Sequence, residues 1–257
     1  MATATTAATG IGEDRFYVIL GGICALIAFG GFSATYWLQV PAGTFVGSPL
    51  LHLHGLLFSA WTLFFLSQAA FIAGGRYQKH RAWGLGGIAL ATAMIFTGAA
   101  VAIGGYQQRI ANGFGEAGGA FLIVPLSALL LFAGFVTAAI VNRRRSDWHK
   151  RFMLIGTAAL LNAAVARFFF LAAAGFGPGL RPGMGPPRPV ESALLPAFLA
   201  DAVIVLAILF DWRHRGRVHP AYLWGLPIML AVQLLRGPFS RTDTWSATAD
   251  FLARFAG

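Results

Sequence analysis

The chain has 257 residues, of which 57% are hydrophobic and only 11% are charged, and its mean hydropathy is +0.69. This composition lies far outside that of soluble globular domains and predicts an integral membrane protein. The formal net charge is +10. Because the basic residues gather in three short loops beside apolar segments, this charge indicates membrane topology and contact with the lipid bilayer, and it excludes nucleic acid as a partner.

Seven apolar segments are candidates for membrane spans, since a helix needs about 20 mostly apolar residues to cross the hydrocarbon core. They are residues 16–38, 50–73, 82–104, 119–141, 152–174, 193–210 and 221–235. They are too continuously apolar for barrel strands, and an open sheet would leave backbone groups unsatisfied in lipid. The predicted fold class is therefore all-α, an integral membrane bundle of seven transmembrane helices at residues 16–236.

The segments outside these spans are short. Residues 1–15 are small and polar, so we expect a disordered cytosolic N-terminus followed by an uncleaved first span. Residues 237–257 form an external tail in which Trp245 and Leu252 predict a short helix on the membrane face. Residues 175–190 are rich in glycine and proline and predict an extended, mobile external connection, either a plain linker or a lid.

The charged loops predict the orientation, because short loops rich in lysine and arginine stay in the cytosol. The loops after the second, fourth and sixth segments contain Arg76, Lys79, Arg81, Arg143, Arg144, Arg145, Lys150, Arg151, Arg213, Arg215 and Arg217. The other loops contain Arg109, Arg181 and Arg188. We therefore expect a cytosolic N-terminus and an external C-terminus. The excess of arginine over lysine, with abundant alanine and glycine, is typical of a GC-rich bacterium and its cytoplasmic (inner) membrane.

Three histidines begin spans at the cytosolic side. His80, His149 and His219 open the third, fifth and seventh segments at one depth, beside basic residues. A neutral imidazole can ligate a metal or haem iron near neutral pH. These three residues are the predicted cofactor ligands, for haem b or a transition metal, although polar end groups at the interface are a simpler explanation. Cys24 is the only cysteine, which excludes a disulfide framework or a zinc–thiolate site.

A second set of polar residues lies toward the outer side. His54, Trp61 and Gln68 recur at seven-residue steps and share one helix face, which should point into the bundle. His52 and His54 are candidate metal ligands. They point apart if this stretch is helical and can point together if it is extended after Pro49. A hydrogen-bonded packing role is the commoner explanation for such histidines.

The fifth and sixth segments carry charges inside the membrane. Asn162 and Arg167 lie in the fifth segment and Asp201 in the sixth. From the rise of an α-helix, the depths of Arg167 and Asp201 differ by about one turn, so the two can form a buried pair. Two roles fit such a pair equally well, a structural clamp between helices and a catalytic or transport function.

Several short sequence motifs of the chain carry a resemblance to other membrane proteins. His52-Leu53-His54-Gly55, Lys79-His80-Arg81-Ala82-Trp83-Gly84, His149-Lys150-Arg151-Phe152-Met153 and Arg215-Gly216-Arg217-Val218-His219-Pro220 occur together with Trp61, Gln68, Arg167, Asp201 and Asp211. Over nearly its whole length the chain resembles an uncharacterised group of proteobacterial multi-pass inner-membrane proteins of unknown function. It is remotely similar to the helix-opening histidines of transmembrane b-type cytochromes, and that likeness implies haem ligation by two of the inner histidines.

Three functional hypotheses follow. The first is a protein that binds haem b or a metal at the cytosolic helix ends, for electron transfer, cofactor assembly or redox sensing, with a redox or assembly protein as its partner. The second is a membrane-embedded metal or acid–base enzyme with an outer site at His54, Arg167 and Asp201. The third is a transporter, sensor or assembly factor without a cofactor. The sequence does not decide whether the protein is an enzyme, nor its oligomeric state.

Overall fold

The computed structural model describes residues 5–174 and 186–255, and this part of the chain is helical and contains no strand. Its α-helices are α1 (Thr5–Phe32, continued by a π-helical turn at Ser33–Trp37), α2 (Pro49–Ala73), α3 (Tyr77–Ala111), α4 (Gly115–Val141), α5 (Ser146–Ala174), α6 (Leu194–Arg215), α7 (Pro220–Ser240) and α8 (Asp243–Phe255). Most of the glycine- and proline-rich connection expected at residues 175–190 lies outside the described residues.

Six helical segments of the described chain are long and apolar enough to cross a membrane. They are Gly12–Trp37, Pro49–Ala73, Tyr77–Ala111, Gly115–Val141, Ser146–Ala172 and Val190–Arg215. The chain is therefore a multi-pass membrane protein built as a helical bundle. The seventh predicted span corresponds to α7, which is less apolar because it includes Gln233, Arg236, Pro227 and Pro238.

Two helix ends differ from the expectation. The N-terminal segment that we expected to be disordered is helical from Thr5 onward, and this helix carries Glu13 to hydrogen-bonding distance of α5. α3 begins at Tyr77 and ends at Ala111, so it extends beyond the apolar segment 82–104 at both ends. Hydropathy marks only the part of a helix that lies in lipid, and both extensions are polar.

Five helices form a closed ring. α1 packs against α2 and α5, and α2–α3, α3–α4 and α4–α5 are the other neighbouring pairs. α6 and α7 lie beside the ring, where both contact α5 and α7 also contacts α4. The approach of α1 to α5 is close, because a Cβ atom at Gly31 would overlap the backbone of Ala164. Small residues at such crossings allow close packing in lipid.

Aromatic and apolar side chains fill the middle of the ring. Trp61 on α2 and Phe132 on α4 are almost completely buried and meet edge to face, with Met94 of α3 beside them. Trp61 also spans the ring to α5, where its Nε1 donates to the hydroxyl of Thr157 at 3.2 Å. This core separates the polar groups at one end of the bundle from those at the other.

The last helix packs against the ends of α3 and α4. Trp245 on α8 is buried, and its Nε1 donates to the carbonyl of Gly119 at 2.9 Å. Tyr106 on α3 donates its hydroxyl proton to Asp250 at 3.0 Å. These contacts hold α8 at the end of the bundle opposite to the basic loops.

Candidate functional site

The structure brings together two of the three predicted inner histidines. His80 lies in the first turn of α3 and His149 in the first turn of α5. Their ring centroids are 6.1 Å apart and the ring planes are nearly perpendicular. This separation suits an edge-to-face ring contact. Since a metal–imidazole bond is about 2.0 Å long, two imidazoles that share one ion also have centroids roughly 6 Å apart.

Hydrogen bonding determines which nitrogen of His149 is free. Its Nδ1 lies 2.9 Å from the carbonyl oxygen of Ala139 on α4. A carbonyl oxygen only accepts, so Nδ1 carries the proton and donates it, and the lone pair of the neutral ring is on Nε2. Metal-bound histidines are oriented in the same way by a carbonyl or carboxylate behind the ring.

His80 and the neighbouring residue Gln68 both carry polar atoms without partners. The Nδ1 atom of His80 is buried and has no hydrogen-bond partner in the described protein, and the same is true of both polar side-chain atoms of Gln68 on α2. The ring of His80 lies beside the backbone carbonyl of Gln68. Buried polar atoms usually have partners, so these atoms are candidates for binding a ligand.

His219 does not join this pair. At the N-terminus of α7 its Nδ1 accepts from the backbone N–H of Ala221 at 3.1 Å, and its Nε2 donates to Asp147 at 3.0 Å. Both ring nitrogens are thus engaged within the protein, and neither is free to ligate. Burial lowers the pKa of His219 below its ordinary value, and the neighbouring Asp147 carboxylate offsets part of that effect.

Two glycines further along α3 from His80 lie against side chains of neighbouring helices. A Cβ atom at Gly87 would overlap the ring of Phe64 on α2, and one at Gly98 would contact Leu129 closely. Gly87 and Gly98 therefore serve close helix packing. The part of the chain that the structure describes also has no group of three or more His, Cys, Asp or Glu side chains placed to hold a metal ion.

A buried arginine network at the same end was not foreseen. Arg151 on α5 is fully buried and binds Asp211 on α6 through Nε at 3.0 Å and Nη2 at 2.6 Å. It also donates to Glu13 on α1 at 3.0 Å and to the carbonyl of Asp147 at 2.9 Å. Arg215 completes the group with an ion pair to Glu13. The scarcity of acidic residues at this basic end was the sequence signal that could have singled out Glu13 and Asp211.

The two outer histidines lie apart. Because α2 is helical from Pro49, positions 52 and 54 point in different directions. The Nδ1 atom of His52 lies 3.1 Å from the hydroxyl of Tyr36. His54 packs on Phe58 with ring centroids 4.1 Å apart, and its buried Nδ1 has no hydrogen-bond partner in the described protein. A metal site shared by His52 and His54 is not formed.

The expected ion pair between Arg167 and Asp201 is also not formed. Arg167 donates to Thr35 at 3.2 Å and to the carbonyl of Ala163 at 2.8 Å, and its guanidinium lies 3.9 Å from the centroid of the Phe32 ring. The depths estimated from sequence give the level of a residue along its helix axis but not the direction of its side chain around that axis. Arg167 faces α1, so the outer enzyme site of His54, Arg167 and Asp201 lacks its acid.

Asp201 instead faces α7. Asp201, Gln233 and Arg236 are each 3% exposed, and the amide of Gln233 and the guanidinium of Arg236 lie beside the carboxylate. Arg236 donates through Nε to the hydroxyl of Ser127 on α4 at 2.7 Å. The other predicted bundle-facing residues, Trp61, Gln68 and Asn162, are buried as well.

Comparison with protein-family models, curated proteins and solved structures finds no match to this chain. The functional conclusion therefore depends on the chemistry of these polar clusters.

Proposed function

We propose that this protein is a bacterial inner-membrane protein that binds a transition-metal ion between His80 and His149, at the end of the bundle that carries the basic loops. The observation that carries this proposal is the 6.1 Å separation of the two rings. The bond from His149 to Ala139 supports it, because it leaves the Nε2 lone pair available.

The chemistry of the donors indicates the class of ion. Two neutral imidazoles suit copper, zinc, iron or nickel, whereas magnesium and calcium prefer oxygen ligands. The backbone of Gln68 lies beside His80, and the side-chain amide of this residue, which has no partner in the described protein, offers a neutral oxygen as a candidate further ligand. A redox-active ion at this place would serve electron transfer, cofactor assembly or redox sensing, and the identity of the ion decides among these roles.

Metal analysis of the detergent-purified protein tests the proposal. We expect about one copper, zinc or iron ion per chain, and we expect His80→Ala and His149→Ala to weaken its binding by more than the roughly 10–100-fold that outer-shell substitutions cost. His214→Ala is the matched control, because His214 is an exposed histidine at the same end whose Nδ1 lies 3.1 Å from the carbonyl of Phe210.

The same sample separates an ion from haem. An absorption band that shifts on reduction with dithionite and is lost in His149→Ala would show that the protein binds haem rather than a metal ion alone. If the metal content of the two variants and of the control equals that of the parent protein, the His80–His149 site is wrong.

We further propose that α7 also crosses the membrane, with the N-terminus in the cytosol and the C-terminus outside. α7 has 21 residues and is therefore about 32 Å long, enough to span the core. Its first residues contact the cluster around Arg151, and the helix after it packs on Gly119 at the other end of the bundle. The distribution of basic loops supports this orientation.

Cysteine labelling tests the topology. On a Cys24→Ser background, a membrane-impermeant maleimide should label Ser246→Cys in intact cells and Arg144→Cys only after permeabilisation, since both positions are exposed. Labelling of Ser246→Cys only after permeabilisation would mean that α7 does not cross the membrane.

A further inference from the structure

The polar cluster between α4, α6 and α7 holds several buried atoms without partners. Both carboxylate oxygens of Asp201, the Oε1 atom of Gln233 and the Nη1 atom of Arg236 are buried and have no hydrogen-bond partner in the described protein. The Nε of Arg236 donates to the hydroxyl of Ser127. Burying a polar group without a hydrogen-bond partner is costly, and burying a charged group in this way costs more. A small molecule bound between these groups would supply the hydrogen bonds that they lack.

The unpartnered donors and acceptors of the cluster indicate which molecule would bind there. The cluster presents three unpartnered acceptor atoms, two from Asp201 and one from Gln233, together with the Nη1 atom of Arg236, which carries two N–H groups. The carboxylate and the guanidinium balance each other, so a guest with net charge would be opposed by one of them in a medium of low dielectric constant. Water is neutral and both donates and accepts, and a buried water needs two to four polar partners.

A cavity open to the aqueous phase lies one helical turn from Arg236. Ser240, at the end of α7, lines a cavity of about 260 Å³ together with Arg188, Glu191 and Arg241. Glu191 pairs with Arg241 and lies directly over Gly237. This cavity has room for several waters, since one water occupies about 30 Å³ in the liquid. It opens at the end of the bundle away from the basic loops.

We propose that Asp201, Gln233 and Arg236 form a hydrated site at which Asp201 takes up a proton from the aqueous phase at the cavity end and releases it again. The proton passes from hydronium to a carboxylate oxygen of Asp201 through the bound water, and neutral Asp–COOH and water result. Release reverses the step. Arg236 remains a cation throughout, and Gln233 and Ser127 hold the water and the guanidinium in place. Intramembrane carboxylates of this kind mark proton pathways.

Infrared difference spectroscopy of the full-length protein tests this site. Between about pH 4 and about pH 9, the range in which a perturbed carboxyl group titrates, we expect a protonated-carboxyl band that shifts within minutes of transfer to D₂O. The band should be absent in Asp201→Asn and present in Asp250→Asn, a matched control in which the acid lies on α8 beside Tyr106.

A second variant retains the acid itself. Gln233→Leu removes an acceptor for the bound water, and we expect the Asp201 band to persist but to exchange at least about tenfold more slowly, because its water contact is weakened. A band that exchanges as fast in Gln233→Leu as in the parent protein, no titrating band lost in Asp201→Asn, or no exchange over hours would each overturn the proposal. The test does not involve His80 or His149, so its outcome is independent of the metal site.

Discussion

Two buried aspartates on α6 differ in their hydrogen bonding. Asp211, near the end of α6, receives two hydrogen bonds from Arg151, and no atom of either residue is among the buried atoms without partners. Asp201, near the start of α6, lies beside Gln233 and Arg236, but both of its oxygens are among the buried atoms that have no partner at hydrogen-bond distance and angle in the described protein. The residue types are the same, and only the completeness of the bonding differs.

This difference in hydrogen bonding distinguishes a structural cluster from a candidate functional cluster. Around Arg151 the polar groups of α1, α5, α6 and α7 bind one another, and the hydroxyls of Tyr17 and Tyr222 meet at 2.7 Å beside them. Such a network fixes the positions of four helices and has no free atoms to offer a ligand. The clusters around Asp201 and around His80 retain free donors and acceptors, so we place the chemistry there.

The largest effect is expected at the satisfied pair. Asp211→Asn leaves the buried Arg151 with Glu13 alone, a carboxylate that it shares with Lys150 and Arg215, and breaking a buried pair in this way costs up to about 3–5 kcal/mol. Thermal or denaturant unfolding in detergent measures the loss. Asp201→Asn should cost less than Asp211→Asn, because Arg236 loses a neighbouring counter-charge but no hydrogen bond as short as those between Arg151 and Asp211, and the amide can still bind water.

The free energies of unfolding of Asp201→Asn and Asp211→Asn test whether the two clusters differ in role. If Asp201→Asn destabilises the bundle as much as Asp211→Asn does, the cluster around Asp201 is a clamp between α6 and α7 and its free atoms have no functional meaning. If neither variant changes the free energy of unfolding, the Arg151 network is not the structural support that its geometry indicates.

The sequence predicted the coarse architecture well, because hydropathy reports directly on lipid exposure. The six long apolar helices fall where the segments were expected, and Trp61, Gln68 and Asn162 are buried. The pairings were predicted less well. Arg167 and Asp201 lie at compatible depths, yet one faces α1 and the other α7.

The failures have a common physical cause. Position along a helix follows from residue number, but the direction of a side chain relative to its neighbours depends on how the helices pack, and that follows from close contacts such as Gly31 against Ala164. The network of Arg151, Glu13 and Asp211 needs three helices to meet, and no spacing within one segment encodes such a meeting. His80 and His149 were grouped correctly by depth, whereas His219 was separated from them by its own bonds.

A smaller effect on stability is expected from the protonation of His219, which lies beside the Arg151 network. His219 connects α7 to Asp147, and its pKa is lowered mainly by burial. The folded state therefore prefers the neutral ring more strongly than the unfolded chain does. Its contribution to stability is complete above the unfolded pKa of about 6.5 and is lost as the pH falls through the lower pKa of the folded state. Protonation at Nδ1 would also remove the acceptor that binds the N–H of Ala221.

His219→Asn isolates this contribution, because asparagine is a favourable residue at a helix N-terminus and does not titrate. We expect the melting temperature of the parent protein to fall between about pH 6.5 and about pH 5 by more than that of the variant. Equal slopes in the two proteins would mean that the ring of His219 stays neutral, or charges without cost, across that range. Because Asp201 lies in the other cluster, its titration should appear in the infrared spectrum and hardly in this melting curve. A parallel change in both measurements would show that the two regions of α6 are coupled, and that the satisfied network transmits the protonation of the unsatisfied one.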